Sequence, residues 1–276
     1  MRTRMMHAAA LLGALAGTTA AGCADAQAGQ AGQQGGIASR VTAAPADAEV
    51  WMRFASRPGV CGGEHGISTS RSERGRSYYS NGDNDGSRGW ECIEGPVWVA
   101  LERQDGRVVK VRARVARGWS TEGRRVTDLG TVGAREASEY LLGLAERATG
   151  GAGEEAIFPA TIADSVTTWP TLLRLTRNTA LPERTRRSAV FWLSQQAGDR
   201  VTRELSAFVS ENDDDREVRK HAVFALSQRP REESVPELVR IARSHRDPEI
   251  RKTAMFWLGQ SGDPRAVALF EVILRS

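Results

Sequence analysis

Ala189-Val190-Phe191-Trp192-Leu193-Ser194-Gln195, Ala222-Val223-Phe224-Ala225-Leu226-Ser227-Gln228 and Ala254-Met255-Phe256-Trp257-Leu258-Gly259-Gln260 are variants of one heptapeptide, spaced 33 and 32 residues apart. A repeat at this period marks a stack of supersecondary units, and it decides the fold class before any single helix or strand is considered. Two further series keep step: Leu172, Leu205, Leu238 and Phe270, then Leu175, Phe208, Ile241 and Ile273. One period upstream of Ala189 lies Ala156, with Phe158 aligned to Phe191. The sequence therefore predicts four units, starting near residues 150, 182, 215 and 248.

Each unit reads as two helices. Asp247-Pro248 opens a first helix, the aspartate as cap and the proline at the first helical position, where its missing N–H costs nothing. Gly262-Asp263-Pro264 ends that helix and starts the second, and Ser234-Val235-Pro236 is expected to make the same break one unit earlier. The first unit departs from the pattern. Pro159 falls within its first helix, which predicts a short or kinked helix in a terminal, atypical unit.

Asp247-Pro248-Glu249-Ile250-Arg251-Lys252-Thr253-Ala254, with Trp257-Leu258-Gly259 and Gly262-Asp263-Pro264 after it, resembles the HEAT repeat family, in particular its short bacterial units also seen in phycobilisome-lyase-like proteins. Arg186, Arg219 and Arg251 stand where such repeats carry a first-helix arginine. The resemblance implies an α-solenoid that binds partners over an extended surface. It is specific for the fold and does not name the partner.

The N-terminus has another character. Arg2 and Arg4 precede a short apolar run, Ala8 to Ala16, and then small residues, the three parts of an export signal over residues 1–28. Two endings are open. Ala24-Asp25-Ala26 and Ala26-Gln27-Ala28 fit peptidase cleavage, while Ala20-Ala21-Gly22-Cys23 resembles a lipobox that makes Cys23 a lipidated first residue. Both readings place the protein outside the cytoplasm, in the periplasm or anchored to the outer membrane, and a lipid at Cys23 is the sole membrane attachment expected. Residues 29–47, rich in Gln, Gly and Ala, read as a flexible linker.

Residues 48–131 alternate like strands and form the expected β-rich domain. Val50, Met52 and Phe54 share one face, with Trp51 and Arg53 on the other. Val97, Val99 and Leu101 are expected to pair with Val109, Val111, Ala113 and Val115 across a hairpin at Asp105-Gly106, while Lys110, Arg112 and Arg114 face away. A three-residue loop, Gln104 to Gly106, keeps the apolar face continuous by setting Leu101 against Val109. In an oxidising compartment Cys61 and Cys92 are expected to form a disulfide. Residues 132–149, with Ala134, Ala137, Leu141 and Leu144 at helical spacing, read as a connecting or capping helix ahead of the repeats at 150–276. The fold class is α+β: a small disulfide-bonded β-rich domain followed by an α-α solenoid.

The sequence favours binding over catalysis. Removing Arg2 and Arg4 from the net charge of +4 leaves +2, too little for a nucleic-acid footprint. His65, His221 and His245 are scattered, and no G-x-S-x-G, H-E-x-x-H or phosphate loop is present. Two cysteines and His65 fall short of a closed zinc site. Asn81-Gly82-Asp83-Asn84-Asp85-Gly86 resembles a calcium loop but has Cys92 where the bidentate glutamate belongs. No cofactor and no metal are expected. The alternatives to a scaffold are a metal-dependent hydrolase around His65, Asp83 and Asp85, and a lipid-anchored structural protein of the envelope. For a protein partner, Phe191, Phe224 and Phe256 are expected to line up as an outward stripe, because Phe224 lies two residues from both Ala222 and Leu226 of the buried face. Arg174, Arg203 and Arg240, with Arg177 and Arg243, are the candidate basic strip of the second helices, interrupted by Glu204 and Glu237. Trp192 and Trp257 are expected to fill the space between units.

Overall fold

The computed structural model describes residues 35–63, 66–69, 92–148, 150–196, 198–211 and 215–275. The leader with Cys23, His65, the Asn81–Gly86 loop, Asp213 and Asp214 lie outside them. Among the described residues no helix is long and apolar enough to cross a membrane.

Four strands make the main sheet in the order β6-β5-β1-β7: β1 (Glu49–Phe54), β5 (Val97–Gln104), β6 (Arg107–Val115) and β7 (Val126–Thr131). β1 and β7 are parallel and the other pairs antiparallel. Strands β2 (Cys61–Gly63), β3 (Gly66–Ser68) and β4 (Ile93–Glu94) form a second, smaller sheet. Cys61 and Cys92 are disulfide-bonded beside it, with Cα atoms 5.2 Å apart. The bridge spans 31 residues, and the loop-entropy model gives such a closure about 3 kcal/mol.

The hairpin corrects the expected register. The loop has two residues, not three: Gln104 pairs with Arg107, and Asp105 and Gly106 have φ of 51° and 76°, as a type I′ turn requires. A bulge between Glu102 and Arg103 then takes up one extra residue of β6. Leu101 therefore faces Val111 and Val99 faces Ala113, and Val109 stands exposed instead of inward. The apolar face is continuous, as the pattern demands, but a bulge and not a longer loop restores it. Arg103, next to the bulge, is buried and donates to the carbonyls of Ala44, Pro45 and Gly106.

Part of the expected linker is also folded. Ile37–Ala43 is a helix, α1, with Ile37 and Val41 buried four residues apart on one face. The Ile37 N–H donates to Glu136 Oε1 at 2.8 Å, and Arg40 donates to the Leu129 carbonyl. Composition hid this helix, because two apolar residues at the right spacing are enough to dock a short one.

After β7 the chain is helical. Helix α2 (Ala134–Arg147) buries Ala137, Leu141 and Leu144 and covers the start of the repeats. The units are α3–α4 (Gly151–Thr161, Trp169–Arg177), α5–α6 (Glu183–Ser194, Asp199–Ser210), α7–α8 (Arg216–Ser227, Arg231–Ser244) and α9–α10 (Pro248–Ser261, Pro264–Arg275). First helices stack on first helices, and second helices form a parallel layer. Pro159 sits in the last turn of α3, which ends two residues later. Asp247 caps α9 by accepting from the Glu249 N–H, and Gly262 takes the left-handed conformation that ends it. Ser234-Val235-Pro236 does not break a helix. The break falls at Pro230, which caps α8, and the Ser234 N–H already donates to the Pro230 carbonyl at 2.9 Å.

Sheet and repeats share one core and pack as a single compact unit from Ile37 onward. The edge strand β6 is closed by α3: Glu155 Oε2 accepts from the Val111 N–H at 2.7 Å. Arg57 N–H donates to the Ile162 carbonyl and Asp164 N–H to the Ala55 carbonyl, both at 2.9 Å. The bulge register makes a direct prediction for urea unfolding. Val109→Lys should change stability by less than about 0.5 kcal/mol, whereas Val111→Lys, which buries a charge, should cost about 3 kcal/mol or more.

Candidate interaction surface on the helical array

The first helices carry an aromatic ladder. Phe158 packs on Trp192 of the next unit with ring centroids 4.6 Å apart, and Phe224 packs on Trp257 at 4.9 Å. Within units, Phe191 meets Trp192 and Phe256 meets Trp257 edge-on, both at 5.0 Å. The residue after each phenylalanine thus reaches back to the phenylalanine of the preceding unit. In the third unit that residue is Ala225, which has no ring to pack on Phe191. The resulting order is graded: Phe158 is buried, Phe191 and Phe224 are half-buried, and Phe256 stands out in solvent. The phenylalanines do align, but only the last is an open surface. Trp192 is buried and Trp257 half-buried, both between units.

The uncovered apolar surface continues onto the last helix. Phe256, Val267, Val272 and Leu274 are 57, 57, 55 and 86 % exposed. The repeat gives this a comparison inside the same chain. The positions one period before Val267, Phe270 and Leu274 are Val235, Leu238 and Ala242, each no more than 2 % exposed, and Val223, fully buried, precedes half-buried Met255. The last unit repeats the apolar residues of the unit before it at positions that a following unit would cover.

The candidate arginines of the second helices do not form an unpaired basic strip. Arg174 binds Glu146 of α2 at 2.5 Å, Arg203 binds Asp199 at 2.5 Å, and Arg240 binds Glu237 at 3.1 Å and Ser206 Oγ at 2.7 Å. Arg177 holds Glu211 and Glu204, and Arg243 is exposed. Exposed pairs of this kind stabilise by about 0–1 kcal/mol each and leave a layer of mixed sign.

The first-helix arginines have a structural task. Arg186 reaches Asp215 at 3.3 Å and Arg219 reaches Asp247 at 3.5 Å, so each binds the residue that caps the following unit. Both guanidinium groups are buried. Arg251 turns instead to the carbonyls of His245 and Arg246. Arg229, which the sequence reading passed over, is a buried hub: it donates to the carbonyls of Ser194 and Gly198, to Thr202 Oγ1 and to Glu233. No pattern flags it, because the aligned residues of the neighbouring units are Gln196 and Ser261. His245 is buried between the Val209 carbonyl and the Asp247 N–H. Burial, reinforced by Arg187, lowers the His221 pKa from 6.5 to about 4.

A second aromatic group covers the outer face of the main sheet. The register sets Arg53, Trp98 and Arg114 side by side, and Trp51, Ala100 and Arg112 next to them. Arg53 lies over Trp98 at 4.9 Å, and Arg112 and Arg114 lie over Trp119 at 5.4 and 5.3 Å. Trp119 also meets Trp51 at 5.8 Å, and Gly118 passes so close that a Cβ there would stand 2.8 Å from the Trp98 ring. Arg53 pairs with Asp128, and Arg112 with Glu49. The group closes the second face of the sheet. Its signal was present in the alternation of Trp51 and Arg53 with Val50, Met52 and Phe54. Among the described residues no three His, Cys, Asp or Glu side chains come together as metal ligands.

These features define the C-terminal part as an α-solenoid of paired helices. Residues 202–276 match the model of the HEAT repeats family, so this part of the chain is a HEAT-repeat array. No curated protein matches the chain.

Two outcomes follow. Trp192→Ala should cost about 3–5 kcal/mol in denaturant unfolding, and Trp257→Ala clearly less, because one side of Trp257 is already uncovered. His221 is held neutral, so its contribution is complete above the unfolded value of 6.5 and is lost as pH falls toward 4. Between pH 7 and pH 5 the wild type should lose on the order of 1 kcal/mol more stability than His221→Gln, measured by urea unfolding at each pH.

Proposed function

We propose that the protein is an exported scaffold of the bacterial envelope, whose HEAT-repeat array binds a protein through its C-terminal end. The observation that carries this reading is the pair of exposed apolar side chains Val267 and Leu274, whose counterparts Val235 and Ala242 are buried one unit earlier. An ordered apolar patch of that kind on a surface marks a contact site. The reading is non-catalytic. The described histidines sit in separate structural roles, and their surroundings assemble no nucleophile, base and orienting group.

Export is supported by the three-part leader and by the Cys61–Cys92 disulfide, a bond that persists in oxidising compartments. Lipidation at Cys23 belongs to the same proposal and would tether the folded part to a membrane.

Site-specific photo-cross-linking from position 274, in cells, tests the contact reading. A defined protein adduct at position 274, lost when Phe256→Ser is added, is expected. Diffuse labelling that Phe256→Ser does not change would contradict a specific contact.

A further inference from the structure

We propose that the outer face of the main sheet is a membrane-facing surface, whose arginines bind the headgroups of anionic phospholipids. This goes beyond the protein contact of the helical array; only the choice of a membrane as occupant rests on the export reading.

Charge is unevenly placed along the chain. Residues 132–276 hold 21 arginines and lysines and 21 aspartates and glutamates, so the array adds nothing to the net charge of +4. Residues 107–125, strand β6 and the loop after it, hold seven arginines and lysines against one glutamate, Glu122. The summed charge of the chain hides this concentration. The register sets Arg107, Lys110, Arg112 and Arg114 in one row on the outer face, opposite Gln104, Glu102, Ala100 and Trp98. Arg117 follows and is exposed. Two of the neighbouring carboxylates are already engaged: Glu49 lies between Arg112 and Arg124, and Asp128 binds Arg53. Among the described residues no carboxylate pairs with Arg107, Arg114 or Arg117.

Shape and order point to a lipid surface. The row lies on a sheet face and not in a cleft, along a nine-residue strand about 30 Å long. Arg53 lies over Trp98 at 4.9 Å and Arg114 over Trp119 at 5.3 Å. The rings hold these guanidinium groups in place before any ligand arrives and leave N–H groups for phosphate oxygens. A level row of ordered cations meets many headgroups at once, whereas a single small anion needs donors that converge. An anionic leaflet attracts such a row over about a Debye length. A lipid at Cys23 would hold Ile37 within at most about 50 Å of a membrane, the extended length of the chain between them. A basic surface is the kind of second contact that strengthens a lipid anchor.

Vesicle flotation of residues 29–276, which lack Cys23 and pack as one unit from Ile37 onward, tests the assignment. The wild type should float with vesicles of about 30 % phosphatidylglycerol in phosphatidylcholine and stay unbound with phosphatidylcholine alone. Its partition should fall at least about tenfold between about 50 and 500 mM salt. Arg107→Glu with Arg117→Glu, which touch neither a ring nor an ion pair, should weaken binding at least about tenfold. Arg243→Glu with Arg246→Glu, exposed on the array and equal in charge change, should weaken it less than about threefold. No flotation with phosphatidylglycerol vesicles, or an equal loss in the two double variants, overturns the proposal. Absence of flotation together with binding of soluble polyglutamate would assign the face to an acidic protein, and overturns it too. None of these outcomes bears on the cross-link from position 274, so the two readings fail separately.

Discussion

A two-helix unit buries one side of its apolar surface within itself and leaves the other side for the next unit to close. The rest of the structure depends on that constraint. It explains why Phe158 and Phe224 sit under the tryptophans of the following units. It also gives the first-helix arginines their role. Arg186 and Arg219 reach across the last two junctions to the aspartates that cap the following helices, so helix capping and unit stacking are one interaction there. A buried arginine–carboxylate pair adds little net stability, but removing the carboxylate leaves a buried charge, and this penalises misaligned stacking.

The array must be finished at both ends, and the two solutions differ. At the N-terminal end, α2 and the sheet supply the cover, and Glu155 of α3 satisfies the backbone of the edge strand at Val111. One contact therefore protects a strand edge and caps a solenoid. The outer face of the sheet carries its own Trp–Arg group. At the C-terminal end, apolar residues remain in solvent.

Much of this was legible in the residues. The repeat pattern is legible because solenoid units share one packing solution, and first helices begin at Gly151, Glu183, Arg216 and Pro248. The cysteine pair and the Val50, Met52 and Phe54 face were equally direct. What escaped was set by tertiary context. The hairpin pattern required a continuous apolar face, but whether loop length or a bulge supplied it depended on a turn with two positive φ angles. Helix α1 rested on Ile37 and Val41 finding α2 and the sheet. Pro236 is the sixth residue of α8, inside the helix, so the helix runs through it with one backbone hydrogen bond fewer, where spacing alone made it look like a break. For the site, the phenylalanine alignment was visible, but its graded burial was not, since coverage of each residue depends on the side chain after the next phenylalanine. The Arg174–Glu146 pair and the Arg240–Ser206 hydrogen bond were equally out of reach, because their partners come from other helices, whereas Asp199 and Glu237 stand at helical spacing from Arg203 and Arg240.

The central claim is that each unit is stabilised by the one that follows it. Amide hydrogen exchange of the dilute, monomeric protein, resolved helix by helix, tests it most directly. The account predicts that the amides of α10 exchange at least about tenfold faster than those of α7, with α9 between them. Uniform protection from α5 to α10 would contradict it, because the last unit would then be as stable as those that have a successor.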